Sequence, residues 1–276
     1  MVYNYSINFP EISGFDFNLC CVKPDGVCDY EDDLPHSHNK TEIYINLSGD
    51  VYFIIEKRVY RIKRGSVLII APEIMHNCAY NNRRSPHGHY WITASVTRDD
   101  WIGKQLFKDS SDGVVHKNLS AAELEQVEAL LGKLLENGCE GLKSSATLLT
   151  FLNMLGAADS KPETTATVLP DDVSLAVDFI SKNYRQQIYI TDIAAMANVS
   201  INTLERHFAK CLGKSPKAFL KENRLNFAAS ALKSGKTVQQ ASDGAGFSDC
   251  SHFISDFTHF FGITPKKYKQ KYEKNR

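Results

Sequence analysis

The sequence predicts a multidomain α and β chain, with a β-rich barrel or sandwich in front and an all-helical domain behind. Three observations predict it. Short β-branched and aromatic runs recur across residues 41–97 at the spacing of a sandwich or barrel. Beyond residue 170 the pattern is helical throughout. A pattern at 198–219, "NVSINTLERHFAKCLGKSPKAF", returns at 246–268 as "GFSDCSHFISDFTHFFGITPKKY". The length of 276 residues is sufficient for two domains with separate cores.

The first strands are "EIYINL", "VYFIIE", "VYRIK", "SVLIIA" and "YWITASV", separated by turn residues such as Ser48-Gly49-Asp50 and Arg64-Gly65-Ser66. The spacing then changes. Leu124, Val127, Leu130, Leu131, Leu134 and Leu135 predict a helix over 120–136, started by a Ser120/Glu123 capping box. A second helix is predicted near 144–157. These helices either cover the barrel or form a dimer face. "ADSKPETTATVLP", small and polar with two prolines, reads as a linker. The expected divisions are 1–157, a linker at 158–170, and a helical domain at 171–276.

Composition narrows the function. An apolar fraction of 43% is globular, and the chain contains no run of about 18 apolar residues to cross a membrane, so no membrane partner is expected. The start "MVYNYSINFPEISGFDF" lacks the basic and apolar segments of a secretory signal. Seven scattered cysteines without a CxxC spacing suit a reducing cytoplasm, and zinc on Cys20, Cys21 and Cys28 is set aside. The net charge of zero conceals an asymmetry: residues 1–170 hold 16 basic against 22 acidic side chains, and residues 171–276 hold 16 against 10. A basic rear half suggests a polyanion partner for that half alone.

In the repeat, Phe208 matches Phe257, Gly213 matches Gly262, Pro216 matches Pro265 and Phe219 matches Tyr268, all 49 apart. Upstream the offset is 48, as for Ile190 with Val238, so the second turn holds one inserted residue. Each copy reads as helix-turn-helix. Thr191 or Asp192 is expected to cap "DIAAMA", and Ser200 to cap a helix over 201–211 with Leu204, Phe208 and Cys211 inward. Gly213 ends that helix. Ser215-Pro216 and Thr264-Pro265 each place a hydroxyl at the N-cap and proline at the first helical position. "KENRLNFAASALKSG" reads as one rod between the copies, suited to holding two recognition helices roughly 34 Å apart, one turn of DNA.

Residues 173–272 closely resemble the DNA-binding domain of AraC/XylS-type transcription regulators. The resemblance is carried by "ITDIAAMANVSINTLERHFAKCLGKSPKAFL", "RLNFAASALKSG" and "GFSDCSHFISDFTHFFGITPKKYK". It implies double-stranded DNA as partner, helices 201–210 and 249–260 in successive major grooves, a homodimer, and contact with RNA polymerase. Asn202, Glu205 and Arg206 then fall at base-reading positions, suited to adenine, cytosine and guanine respectively. Lys210, Lys214, Lys217 and Lys266 suit phosphates. His207 is expected to pack inward. In the second copy Cys250, Ser251, His252 and Ser255 are expected to face the groove. Ser255, Thr258 and His259 stand where such proteins usually carry Arg or Lys, and Asp249 and Asp256 add negative charge, so a weaker reader is expected there.

The front half carries "HSHNKTEIYINLSG", with His36, His38, Glu42 and Gly49 spaced HxH-x3-E-x6-G, and His76 follows "GSVLIIAPEIM". This resembles the cupin barrel pattern, although Tyr30 stands where a glycine is expected. The reading taken is a small-molecule effector pocket lined by His36, His38, Glu42, His76, Tyr90 and Trp91, suited to a sugar or similar polar ligand, with no cofactor. Tyr90 and Trp91 are adjacent, so only one can face the pocket of a regular strand. His87 and His89 are placed on a loop. The alternative is a metal ion on His36, His38, Glu42 and His76, and with it a metal-dependent cupin enzyme tethered by its helical domain. The regulator reading is preferred, and no enzymatic activity is expected.

Overall fold

The computed structural model describes residues 2–9, 15–22, 34–49, 51–80, 87–136, 141–158 and 166–273. Ten strands and ten helices follow in chain order among them. The strands that build the front domain are β1 (Val2–Phe9), β2 (Phe15–Val22), β3 (Thr41–Ser48), β4 (Val51–Ile55), β5 (Arg58–Ile62), β6 (Ser66–Ile70), β7 (His76–Tyr80) and β8 (Gly88–Ala94). Then come α1 (Trp101–Leu106), β9 (Val114–Asn118), α2 (Ala121–Glu136), α3 (Gly141–Ala157) and β10 (Thr167–Val168). The rear domain holds α4 (Asp171–Asn183), α5 (Ile190–Met196), α6 (Ile201–Leu212), α7 (Pro216–Lys233), α8 (Val238–Gly244), α9 (Cys250–Phe261) and α10 (Pro265–Glu273). The predicted linker's residues 159–165, together with Cys28 and Tyr30, lie outside the described residues.

Two antiparallel sheets face each other. One has the order β1-β2-β8-β3-β6-β9, the other β10-β5-β4-β7. The register pairs Tyr44 with both Trp91 and Leu68, and Leu68 with His116, so these four share one face. Tyr44 and Leu68 pack there with Phe53, Tyr60 and Ile70 in the space between the sheets. The alternate residues, Ile43, Ile45, Tyr90 and Ile92, pack outward against Leu124, Val127, Leu131 and Phe151 of α2 and α3. Both faces of β3 are thus covered, which is why its burial shows no alternation. The two helices cover the barrel, as one of the sequence alternatives had it.

Lys117 joins these layers. It projects outward from β9, and its buried ammonium donates to the carbonyls of Leu155, Gly156 and Ala158 at 2.9, 3.2 and 3.0 Å. Those carbonyls close α3, where a positive charge offsets the negative end of the helix.

The rear domain has two cores, one per repeat. The first gathers Val173, Ile180, Ile193, Leu204, Phe208, Leu212 and Phe219, and continues onto Tyr52, Ile54 and Val59 on the outer face of the small sheet. The second gathers Leu225, Leu232, Ala241, Phe253, Phe257 and Tyr268. Leu212 takes the inward place expected of Cys211, which is half-buried. The inserted residue falls where the offset indicates: residues 197–200 separate α5 from α6, and residues 245–249 separate α8 from α9.

Candidate DNA-reading face and sensor barrel

Local hydrogen bonding fixes each helix of the first repeat. Tyr189, not Thr191 or Asp192, is the N-cap of α5. Asp192 sits three residues in, where its carboxylate accepts from the Tyr189 N–H at 2.8 Å. The Ser200 hydroxyl accepts from Thr203 N at 3.2 Å to start α6, and Gly213 ends that helix at φ 70°. The Ser215 hydroxyl does the same for α7, accepting from Ala218 N at 3.2 Å ahead of Pro216. With Leu204, Phe208 and Leu212 buried, Asn202, Glu205, Arg206 and Lys210 are left exposed on the other side of α6. Lys217 is exposed at the start of α7 and Lys266 at the start of α10.

Two expectations for this repeat are corrected. His207 is not in the core: its side chain is 35% exposed, and Nδ1 donates to Asp172 at 2.6 Å, tying α6 to the start of α4. Lys214 is withdrawn from the open face. Its side chain is 10% exposed, with Nζ 2.5 Å from Glu222 and over the Tyr52 ring at 5.5 Å. A second link to the barrel lies beside it, where Arg61 Nη2 donates to the Cys211 carbonyl at 3.1 Å. That carbonyl belongs to the last turn of α6, so a front-domain guanidinium sits at the negative end of the first recognition helix.

The second repeat is set rigidly against the first. The segment after α4 supplies three links: Arg185 Nε to Gly244 O at 3.0 Å, Gln187 Nε2 to Gly246 O at 3.2 Å, and Arg224 of α7 to Tyr184 O and Gln186 O at 2.7 and 2.8 Å. Gly246 must be glycine: φ is 82°, and a Cβ would meet Arg185 O at 2.6 Å. Lys221 donates to Asp256 at 3.0 Å across a cleft of about 760 Å³ between α5, α7 and α9. Asp249 caps α9, accepting from Ser251 N and His252 N at 2.6 and 2.9 Å, and these bonds hold its carboxyl below the ordinary range. The negative charges read from the sequence are therefore engaged, one in a cap and one in an ion pair.

Ser251, His252 and Ser255 are exposed on α9. Cys250 is corrected: it is half-buried against the second core. The sequence reading missed Ile254, which is 39% exposed on the same side. The offset of 49 that matches Phe208 with Phe257 also matches Glu205 with Ile254, and it is the signal that finds this residue.

In the barrel, His36, His38, Glu42 and His76 come together with their donor atoms within 4.8 Å of one another. The strand partners His36 and His76 exchange backbone hydrogen bonds of 3.0 and 2.9 Å. Nε2 of His38 and Nε2 of His76 stand 3.1 and 3.2 Å from Glu42 Oε2. Burial raises the Glu42 carboxyl, but the His38 and His76 contacts outweigh it and hold it at about 2. The Glu42 contact raises His38 against the opposing effect of its burial. The Trp91 N–H adds to the stabilisation of the carboxylate without reaching hydrogen-bond geometry.

Trp91 thus faces the interior. Tyr90 is corrected, since it points outward under α2 among Leu124 and Val127, where burial, followed by Cys21 and Glu128, raises its phenol. His89 is corrected as well. It lies in β8, its ring stacked on Tyr44 at 4.8 Å, and burial with His87 nearby pushes it down to about 3. His87 is buried just before that strand. The interior also holds His116, pushed down to about 4 by burial, and Asn46, neither anticipated from the sequence.

Two family descriptions match this layout: residues 28–152 match an AraC-like ligand binding domain, and residues 193–271 match a helix-turn-helix domain. The chain belongs to the AraC family of transcription regulators. Among relatives of this AraC-family chain, the lactose operon transcription activator of Staphylococcus xylosus is 23% identical over 249 residues, 86% of each chain. The melibiose operon regulatory protein of Escherichia coli (strain K12) is 21% identical over 266 residues, 87% of this chain and 85% of that one. A solved AraC-type transcriptional regulator from Chromobacterium violaceum is 32% identical, covers 37% of this chain and 91% of its own, and aligns with a TM-score of 0.35. As an AraC-family member the chain is a DNA-binding transcription regulator with a ligand-binding domain, and the tethered-enzyme alternative finds no support. No helix among the described residues is long and apolar enough to cross a membrane.

Proposed function

We propose that this regulator reads DNA chiefly through α6, with Asn202, Glu205 and Arg206 on base edges and Lys210 and Lys217 on phosphates. The observation that carries this reading is the exposed polar face of α6, whose opposite side and both ends are fixed by core packing and caps. A guanidinium is suited to guanine O6 and N7, an amide to adenine, and a carboxylate to cytosine N4. In α9 the readers are Ser251, His252, Ile254 and Ser255, with Ile254 suited to a thymine methyl and Lys266 to a phosphate. The second contact is then weaker and more apolar than the first.

The barrel takes a small polar effector, of sugar-like character, against Trp91, His89, Tyr44 and Asn46. The names of the lactose and melibiose operon relatives favour this class. Coupling runs through the outer face of the small sheet, where Tyr52 meets Lys214 and Arg61 meets the end of α6. An effector that favours one arrangement of that contact shifts the presentation of α6. The reading includes a cytoplasmic homodimer that contacts RNA polymerase.

Arg206→Ala tests the reading. The full chain is used to select duplexes from a randomised pool. The variant is expected to lose about 10–100-fold of discrimination at one base pair, the worth of a bidentate contact. Lys217→Ala is expected to weaken all duplexes equally and to reduce the salt slope by about 1. Unchanged site preference in Arg206→Ala would remove α6 from the role of principal reader.

A further inference from the structure

We propose that His36, His38, Glu42 and His76 bind one divalent transition-metal ion in the sensor barrel. Each imidazole has its Nδ1 against a backbone carbonyl: Leu34 O at 2.8 Å for His36, Lys40 O at 2.9 Å for His38, and Ile74 O at 2.8 Å for His76. A carbonyl only accepts, so Nδ1 carries the hydrogen in all three rings. The neutral tautomer then has its lone pair on Nε2. Two of those nitrogens, on His38 and His76, face the same Glu42 oxygen at 3.1 and 3.2 Å. Without a cation this sets acceptor against acceptor in a buried place. Nδ1 held by a carbonyl, with Nε2 turned to a common centre, is how proteins orient imidazoles toward a metal.

The reach is right. The four donor atoms span at most 4.8 Å. Two ligands sharing one ion at about 2.1 Å each stand no more than about 4.2 Å apart, so the widest pair must close by about 0.6 Å. A small χ rotation supplies that, and the backbone need not move. His36 and His76 are locked to each other by their paired hydrogen bonds, His38 O accepts from Glu73 N at 2.9 Å, and Glu42 lies within β3 between Ile70 and Thr93. Three imidazoles and one carboxylate suit zinc, nickel, cobalt, iron(II) or manganese, and the absence of thiolate from the four disfavours copper(I). His38 is 27% exposed, which gives the ion a way in from solvent.

The competing account puts protons on two rings. It places two imidazolium charges side by side among rings whose centroids lie 4.5 to 5.6 Å apart. The two accounts differ in what they retain. The untagged full-length chain is stripped with a chelator, mixed in separate samples with zinc, nickel, cobalt, manganese and iron(II), desalted, and assayed for metal. The expected result is one ion per chain for at least one metal, a rise in Tm, and visible bands of a nitrogen- and oxygen-ligated cobalt site. His38→Ala and Glu42→Gln are expected to weaken affinity by at least about 100-fold, the upper end of what losing a mere outer-sphere partner costs. His36→Ala, at a half-buried position, serves if Glu42→Gln fails to fold. His116→Phe, inside the same barrel, retains the ion. Failure of the wild-type chain to hold any of the five metals overturns the proposal, as does unchanged retention in folded His36→Ala and His38→Ala chains. No DNA enters this experiment, so its outcome is independent of the assignment of α6.

Discussion

Phe257→Ala is expected to unfold the second helix-turn-helix unit while the barrel and first unit remain folded. Phe257 is fully buried, with ring centroids of Phe253, Tyr268 and Phe261 at 5.5, 5.3 and 4.4 Å. Removing such a side chain costs about 3–5 kcal/mol, because the cavity adds to the lost transfer energy. The ring cluster offers little relief, since its members are held by one another. The core around it is small and separate from the first. A loss of this size is comparable to the whole stability of a unit this small. Urea unfolding followed by hydrogen exchange should show early opening confined to residues 225–272. The same change at Phe208 removes a comparable contact from a core that continues onto Tyr52 and Ile54 of the barrel. Its lesion should therefore spread to the contact between domains. Equal, global loss of protection in both variants would show that the two units are one cooperative body.

The helical domain was far more legible than the barrel, for a physical reason. Caps and turns need particular residues at particular places, so Gly213, Gly262, Ser215-Pro216 and Thr264-Pro265 mark the repeat in any context. Which lysine stays free is decided by tertiary contact instead. Lys214 and Lys217 look alike in the sequence, and only the arrival of Tyr52 from the barrel withdraws the first. In the barrel, alternation correctly sends Tyr90 and Trp91 to opposite faces. It does not say which face is inside, because both faces of β8 are covered and both residues are aromatic. His116 and Lys117 were not anticipated at all. They lie in a short strand after α1, one facing inward and the next outward, and their environments are made by residues some 40 or more positions away in sequence.

The inward member of that pair sets the acid limit of the barrel. His116 is 8% exposed, meets Tyr60 edge-on at 6.0 Å, and has neither ring nitrogen bonded to a protein partner. Burial pushes it down to about 4 from an ordinary 6.5. The unfolded chain therefore takes up a proton at this ring more readily than the folded one. Stability from His116 is fully present above pH 6.5 and falls progressively as pH drops toward 4, a loss of about 3 kcal/mol if the full difference is realised. Glu42, held at about 2, contributes stability that is lost only at lower pH, from its ordinary range downward. His38, raised, contributes with the opposite sign to His116. The His116→Phe variant isolates the one ring from these. At pH 7.5 it should be as stable as the wild type or slightly more, because an unbonded imidazole is replaced by an apolar ring of similar shape against Tyr60. At pH 4.5 it should be more stable by about 2 kcal/mol, most of the loss the wild type has by then suffered. Urea midpoints at the two pH values measure both. Parallel pH profiles for variant and wild type would mean that the imidazole is protonated in the fold and that the barrel interior is wetter than its packing implies.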